Sequence, residues 1–394
     1  MPLSHVDVII LGAGIPGLSL AVALTQQGFK VALVDKEPPI TQLPLALSLR
    51  VFAITLANIK AWQQLGVWER VIALSKPGVL EKIAVWDQPT GAHLQFDAGL
   101  MGVDAMGYVV NQEVVLMALY QTLSLTPLNF HFYHTLPLAV AVDDKKVMMT
   151  LSDGNRITST VIVGADGSRS WLREKMGFVV DHKAYDQIAI VAQITTSQAH
   201  QAMARQVFLD DEILAFLPLA DAHKCSIVWS VASEHGKALL SLSDADFLMH
   251  LSQAFDGRLG QLVAVSKRMS FSLSQQTVDA YIKPRAVLVG DAAHTVHPLA
   301  GQGLNMGLAD VWCLAEVLLA TQKKRRDMGA RDSLRPYERW RKTHNAMMMQ
   351  GIESFKQVFA ARNRLVQQVR GVGMNTLDYL NFCKQPIVKY AMGL

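Results

Sequence analysis

"VDVIILGAGIPGLSLAVALTQQGFKVALVDK", Val6 to Lys36, is the stretch that decides the fold. Val6 to Leu11 is a continuous apolar run, as a parallel strand covered on both faces requires. Leu18 to Gln27 has helical spacing and good helix formers, Gly28 breaks it, and Val31 to Val34 forms a second strand. Between strand and helix, Gly12, Gly14 and Gly17 stand at G-x-G-x-x-G spacing. Such glycines permit a tight turn, close backbone approach to a pyrophosphate and close packing of helix on strand, while the helix N-terminus offers free N–H groups. Asp35 ends the second strand, where an acid accepts from ribose hydroxyls. Pro16 falls in the first helical turn, where its missing N–H matters little. The unit predicts dinucleotide binding; NAD and FAD share the ADP half, so this turn does not separate them.

Outward from this unit, Pro38 to Pro44 reads as a loop, and Ala53 to Leu65 and Asn111 to Thr122 as helices. Leu138 to Gly167 alternates β-branched runs with Asp-Asp-Lys-Lys and Asp-Gly-Asn turns, a meander that returns to an apolar strand. From Gln187 to Arg268 the pattern changes to short strands ("IAIVAQIT", "ILAFLPL", "CSIVWSV") with one helical stretch at Asp244 to Ala254. "RAVLVGD" is again a buried strand, and "LNMGLADVWCLAEVLLA" a long helix. The fold class expected is α/β: a discontinuous Rossmann-type dinucleotide-binding domain (1–75, 105–182 and 269–342), an inserted, mainly antiparallel β-sheet substrate domain (76–104 and 183–268), and C-terminal helices (343–394).

A chain of 394 residues, 51% hydrophobic and 18% charged, has enough apolar mass for two cores and excludes a disordered chain. No uninterrupted apolar run of about 18 residues stands out, so a cytoplasmic protein is expected. Cys225, Cys313 and Cys383 lack metal-ligand spacing and are too few for a disulfide framework, so neither a metal nor disulfides are expected. The net charge of +4 is too weak to indicate nucleic acid. It is also unevenly spread: from Gly351 onward six basic residues (Lys356, Arg362, Arg364, Arg370, Lys384, Lys389) face only Glu353 and Asp378, a surplus equal to that of the whole chain. With Ile352, Phe355, Phe359, Val366 and Val369 placed near one helical face, this tail has two readings. One is a basic amphipathic helix resting on the anionic inner face of the cell membrane. The other is a helix packed on the core or on another subunit.

Two later motifs narrow the chemistry. "VIVGADGSRSWLRE" ends a strand in an acid-glycine turn, Asp166-Gly167, near a ligand crevice. In "LVGDAAHTVHPLAGQGLNMGL", Asp291 follows a buried strand, Pro298 fixes a bend, Gly301 and Gly303 let backbone approach a flat ring, and Leu304 starts a helix whose N–H groups face an anion. With these three motifs, "LRVFAIT" (Leu49 to Thr55) and "GYVVNQEVV", the sequence resembles the FAD-dependent aromatic-ring monooxygenases of the para-hydroxybenzoate hydroxylase group, and within it the ubiquinone-biosynthesis hydroxylases, from Val6 to about Arg341.

The resemblance implies that Gly12, Gly14, Gly17 and Asp35 hold the ADP half of FAD and that Arg50 and Gln112 reach the cofactor. It further implies that Asp166 sits near FAD and NAD(P)H, that Asp291 contacts the ribityl and pyrophosphate region, and that Pro298, Gly301, Gln302, Gly303, Leu304 and Asn305 line the isoalloxazine ring. Where the group commonly has Glu-Asn, this chain has Asn111-Gln112. The implied activity is that of an NAD(P)H- and O2-dependent aromatic hydroxylase. NADH or NADPH reduces FAD transiently, and a C4a-hydroperoxyflavin delivers one oxygen atom to the ring of a polyprenylated phenol or quinol. A homo-oligomer or a biosynthetic complex is compatible with this. No side chain qualifies as a catalytic base; His294 and His297 are the candidates for proton transfer, His297 the one retained, and a loop histidine beside a cofactor more often packs or hydrogen-bonds. Two alternatives remain: an FAD monooxygenase of another aromatic substrate, and a non-catalytic FAD-containing scaffold subunit.

Overall fold

In the computed structural model, which describes residues 4–296, 301–361, 363–380 and 384, the strand Ser4–Leu11 lies between Val31–Asp35 and Arg156–Gly164, parallel to both. Arg156–Gly164 continues to Ala286–Leu288, and Val31–Asp35 to Phe130–His134, again in parallel. Val8, Ile9 and Ile10 are wholly buried, which is why the run carries no polar alternation. The helix Ile15–Thr25 packs against Gln112–Leu123 and Gln302–Lys323. Its closeness to the first strand depends on absent side chains: a Cβ at Gly17 would lie 1.9 Å from the Gly12 carbonyl oxygen, and one at Gly12 (φ +100°) 2.3 Å from that of Ala165. Gln302–Lys323 has the length and hydropathy of a membrane span, but Leu308, Val311, Leu314 and Leu318 are fully buried between neighbouring helices, so here it is a core helix.

The second sheet has nine strands built around Val180–Thr196, which pairs with Lys224–Ala232 along its later half and with Met269–Val278 along its earlier half. One face is covered by Ser233–Ser241 and Asp244–Ala254, with Phe216, Trp229, Phe247 and Phe255 in the core between them. A small third sheet, Val51–Thr55, Gly107–Asn111 and Gly78–Leu80, bridges the layers; a Cβ at Gly78 would lie 2.1 Å from the Pro218 carbonyl oxygen.

Several sequence expectations are corrected. Ala53 to Leu65 is not one helix: Val51–Thr55 is a strand paired with Gly107–Asn111, and the helix is Leu56–Gln64. Met269–Val278, expected in the dinucleotide domain, is a strand of the second sheet, as are Val180 to His182, because one continuous 17-residue strand carries the pairing through both. Within 76–104, Gly78–Leu80 joins the small sheet and only Lys82–Asp87 and His93–Asp97 join the large one. Helix Ser233–Ser241 escaped the reading because Gly236 interrupts its pattern; a Cβ there would meet Ile188.

The tail is two helices, Arg331–Ala360 and Arg364–Tyr379, broken where the Asn363 side chain accepts from Leu365 N–H. Ile352 and Phe359 pack with Phe208 and Met374, whereas Val366 and Val369 are exposed, so the five apolar residues do not share a face. Arg370 is the clamp. Its Nε and Nη2 donate to Asp87 Oδ2 at 3.0 and 2.8 Å, and its Nη1 to the Val358 and Phe359 carbonyls. Both charges are buried, and removing one partner of such a pair typically costs about 3–5 kcal/mol. Arg370→Ala should therefore shift the urea midpoint downward and expose Arg364–Tyr379 to limited proteolysis; unchanged values would show that the clamp does not hold the tail.

Candidate functional site

The three motifs meet through backbone. Gly290 adopts φ +60°, and a Cβ there would lie 3.6 Å from Pro16 Cγ and 3.7 Å from Gly307 Cα. A Cβ at Gly307 would in turn lie 3.1 Å from Gly290 Cα. Pro16 thus packs the glycine turn onto both the Asp291 loop and the helix Gln302–Lys323. The two helices that point here, Ile15–Thr25 and Gln302–Lys323, both begin after a glycine (Gly14 and Gly301) with no side-chain cap, and the partial positive charge of such a helix start suits an anion.

Asp35 is already engaged: Oδ2 accepts from Ala13 N–H at 2.5 Å and Oδ1 from Glu37 N–H at 2.9 Å. It braces the glycine turn, and a carboxylate with about four acceptor sites still has capacity for a hydroxyl. Asp166 closes its own turn, accepting from the Ser170 hydroxyl at 2.5 Å and from Leu172 N–H at 3.1 Å; burial pushes its carboxyl up against those two bonds. Arg173, not singled out from sequence, joins the second motif to the third: Nη1 donates to the Ala292 carbonyl at 2.9 Å and Nη2 to that of Ser168 at 2.6 Å, with the guanidinium buried.

Asp291 is accessible to solvent, yet crowding by the protein raises its carboxyl, with His294 opposing the rise. Among the described residues, nothing lies within 4 Å of a Cβ built at Gly301 (φ +62°), and a Cβ at Gly303 would meet Val296 Cγ2 at 3.7 Å. Gln302 and Leu304 are half-buried, Leu304 against the first core. Asn305 turns inward: its Oδ1 accepts from Thr55 N–H and Asn58 Nδ2, both at 3.0 Å, and its Nδ2 donates to the Ala53 carbonyl at 2.8 Å. It therefore positions Val51–Thr55, the strand that follows Arg50. Arg50 is exposed, and its carbonyl accepts from Gln112 N–H at 3.0 Å, so these two candidates are neighbours. His297 and Pro298 lie outside the described residues.

Behind the loop is a buried polar network that the sequence did not announce. Asp310 Oδ2 accepts from Gly290 N–H at 3.1 Å and lies 2.5 Å from His294 Nε2; its Oδ1 accepts from Arg341 Nε at 2.7 Å and Asn345 Nδ2 at 3.0 Å. Burial pushes the Asp310 carboxyl up, but His294 and Arg341 outweigh it and hold it at about 2.

These features fit FAD. Room at Gly14, Gly301 and Gly303 among the described residues, two uncapped helix starts and the acids Asp35 and Asp291 match the close backbone approach and hydroxyl acceptors that a flavin dinucleotide needs. The "FAD binding domain" family matches residues 5–351. Ubiquinone hydroxylase UbiL of Rhodospirillum rubrum is 32% identical over 98% of this chain and 89% of its own length. The 3-demethoxyubiquinol 3-hydroxylase of Escherichia coli is 29% identical, covering 98% of each chain. Among solved structures, p-nitrophenol 4-monooxygenase PnpA of Pseudomonas putida superposes with a TM-score of 0.79 over 99% of each chain at 18% identity, a likeness of fold.

Two measurements follow from this geometry. A Cβ at Gly14 (φ −70°) would come no closer than 3.9 Å to its nearest neighbour, Pro16 Cδ, so Gly14→Ala should leave apoprotein stability intact while weakening FAD binding, whereas Gly17→Ala should damage the apoprotein itself. Equal FAD affinity in Gly14→Ala and the parent would remove the cofactor from this turn. Because the Asp310 carboxyl is held below its unfolded value, its contribution is complete above about pH 4 and is lost as pH falls toward 2. Urea midpoints measured from pH 5 to 2 should show that loss in the parent and not in Asp310→Asn.

Proposed function

Taking as premise that the chain belongs to the FAD binding domain family and is an FAD-dependent monooxygenase, we propose that it hydroxylates the aromatic ring of a polyprenylated phenol or quinol in ubiquinone biosynthesis, with NAD(P)H and O2 as co-substrates. The observation that carries this reading is that two ubiquinone-pathway hydroxylases align with 98% of this chain, spanning both sheets and the tail.

Bound FAD supplies electron transfer from NAD(P)H and activation of O2. The chain's own residues bind, orient and exclude water. Gly12, Gly14 and Gly17 bring backbone to the pyrophosphate, Asp35 and Asp291 accept from hydroxyls, and Gly301 to Leu304 present backbone N–H groups to the ring. Asn305, Gln112 and Arg50 set the strand beside it. The second sheet suits the opposite wall. Ile190, Leu214, Phe216, Ile227 and Trp229 face the covering helices, so alternation turns Val191, Ala215, Leu217 and Val228 to the other side, an apolar surface that excludes water from an oxygen-transfer site.

The tail supports peripheral contact with an anionic membrane, where a polyprenylated substrate resides. Trp340, Met347, Leu365, Val369 and Val372 are exposed apolar side chains, interspersed with exposed Arg335, Arg339 and Arg364. This agrees with a cytoplasmic protein that visits the inner face of the membrane; the clamp at Arg370 is compatible with it, since Leu365, Val369 and Val372, on the other side of Arg364–Tyr379, are exposed.

Purified holoprotein should oxidise NADH or NADPH faster when a prenylated phenol is added, and the product should carry one atom from isotopically labelled O2. Deletion of the gene should accumulate a prenylated phenol or quinol. Unstimulated oxidation together with no accumulated intermediate would favour a scaffold role. Hydroxylation of a non-prenylated aromatic alone would redirect the substrate assignment.

A further inference from the structure

The long helix Arg331–Ala360 reaches into the cofactor site from behind. Its Arg341 and Asn345 donate to one oxygen of Asp310, while Gly290 N–H and His294 Nε2 occupy the other. Each carboxylate oxygen therefore serves two partners, and each pair belongs to a different segment: one to the loop that carries Asp291, the other to the long helix. Arg341 Nη2 also donates to the Met306 carbonyl, at the start of the second turn of Gln302–Lys323, and to Asn345 Oδ1 at 2.7 Å. Asn345 Nδ2 reaches the Tyr281 hydroxyl, and the Tyr281 ring lies over His294 with centroids 6.0 Å apart and planes 25° from parallel. Arg341, Asn345, His294 and Asp310 are all buried. Because an ionised carboxylate only accepts, His294 Nε2 carries the proton in this bond.

We propose that Asp310, paired with Arg341, is the positioning residue of the flavin site. It fixes the Asp291 loop to the start of Gln302–Lys323, so the long helix, remote in sequence from every cofactor motif, sets the geometry in which flavin is held. The chemistry of the carboxylate explains why nothing else suits. Asparagine has one accepting atom where aspartate has two, so Asp310→Asn must turn an N–H toward either Gly290 N–H or the Arg341 guanidinium. Gly290 N–H cannot change its role, and neither can arginine. Lysine at 341 keeps the charge but cannot reach Asp310, Met306 and Asn345 at once from a fork.

The inference rests on the FAD site alone and is independent of which ring is hydroxylated. It is tested with Asp310→Asn, Arg341→Lys and His294→Gln in the full chain, and with Arg370→Ala as a variant that weakens the protein away from this site. Apoprotein is titrated with FAD by flavin fluorescence, the visible circular dichroism of bound flavin is recorded, and hydrogen peroxide released per NAD(P)H is measured at saturating FAD. Asp310→Asn should weaken FAD binding roughly 10-fold or more, as expected for a lost buried bond to a charged group. It should also alter the flavin dichroism and raise the peroxide share, with Arg341→Lys and His294→Gln intermediate and Arg370→Ala unchanged in all three. Parent-like FAD affinity and dichroism in Asp310→Asn, whatever its thermal stability, would overturn the proposal. If Asp310→Asn does not fold, parent-like values in both Arg341→Lys and His294→Gln would overturn it equally.

Discussion

Three stretches of backbone, each more than a hundred residues from the next, have to lie within van der Waals contact of one another, and the rest of the molecule serves that contact. Gly12 and Gly17 let the first helix rest on the first strand; Gly290 and Gly307 let the third motif close on Pro16. No side chain could be added at Gly12 or Gly17 without displacing main chain, which is why the parallel sheet, with both faces covered, has to be the scaffold. The ordering of strands Ala286–Leu288, Arg156–Gly164, Ser4–Leu11 and Val31–Asp35 brings the ends of four strands, and the three motifs that follow them, to one edge.

What could be seen in the sequence was whatever repeats locally. The glycine spacing, the apolar run Val6 to Leu11, Asp35 and the helix Asp244–Ala254 each declare themselves within a dozen residues. The strand Met269–Val278 did not, because "MSFSLSQQTV" pairs with the exposed early half of Val180–Thr196 and needs little hydrophobicity to do so. Val51–Thr55 did not either, since its neighbours Gly107–Asn111 and Asn305 are far along the chain.

The same limit explains the site. Asp291 and the glycines were legible as motif; the inward role of Asn305 was hidden, because a motif marks a position and says nothing of where its side chain points. Arg173 reaches the Ala292 carbonyl across 119 residues, and Asp310 reaches Arg341 and Asn345 across 31 and 35, distances at which no periodicity operates. A polar residue in a core helix such as "LNMGLADVWCLAEVLLA" was nevertheless a signal, for a buried Asp requires a partner.

The strand Val180–Thr196 ties the Asp291 loop to the second sheet. His294 and Thr295, just beyond Asp291, pair with Thr277 and Gln276 of Met269–Val278, which pairs in turn with Val180–Thr196, and that strand runs on into the middle of the second sheet. A single hydrogen-bonded ladder thus passes from the Asp291 loop into the second sheet. Two layers joined by such a beam cannot swing apart as clamshell halves without unzipping it. Any opening between the layers is then confined to the loops and helices around this ladder, with the frame that it makes staying rigid.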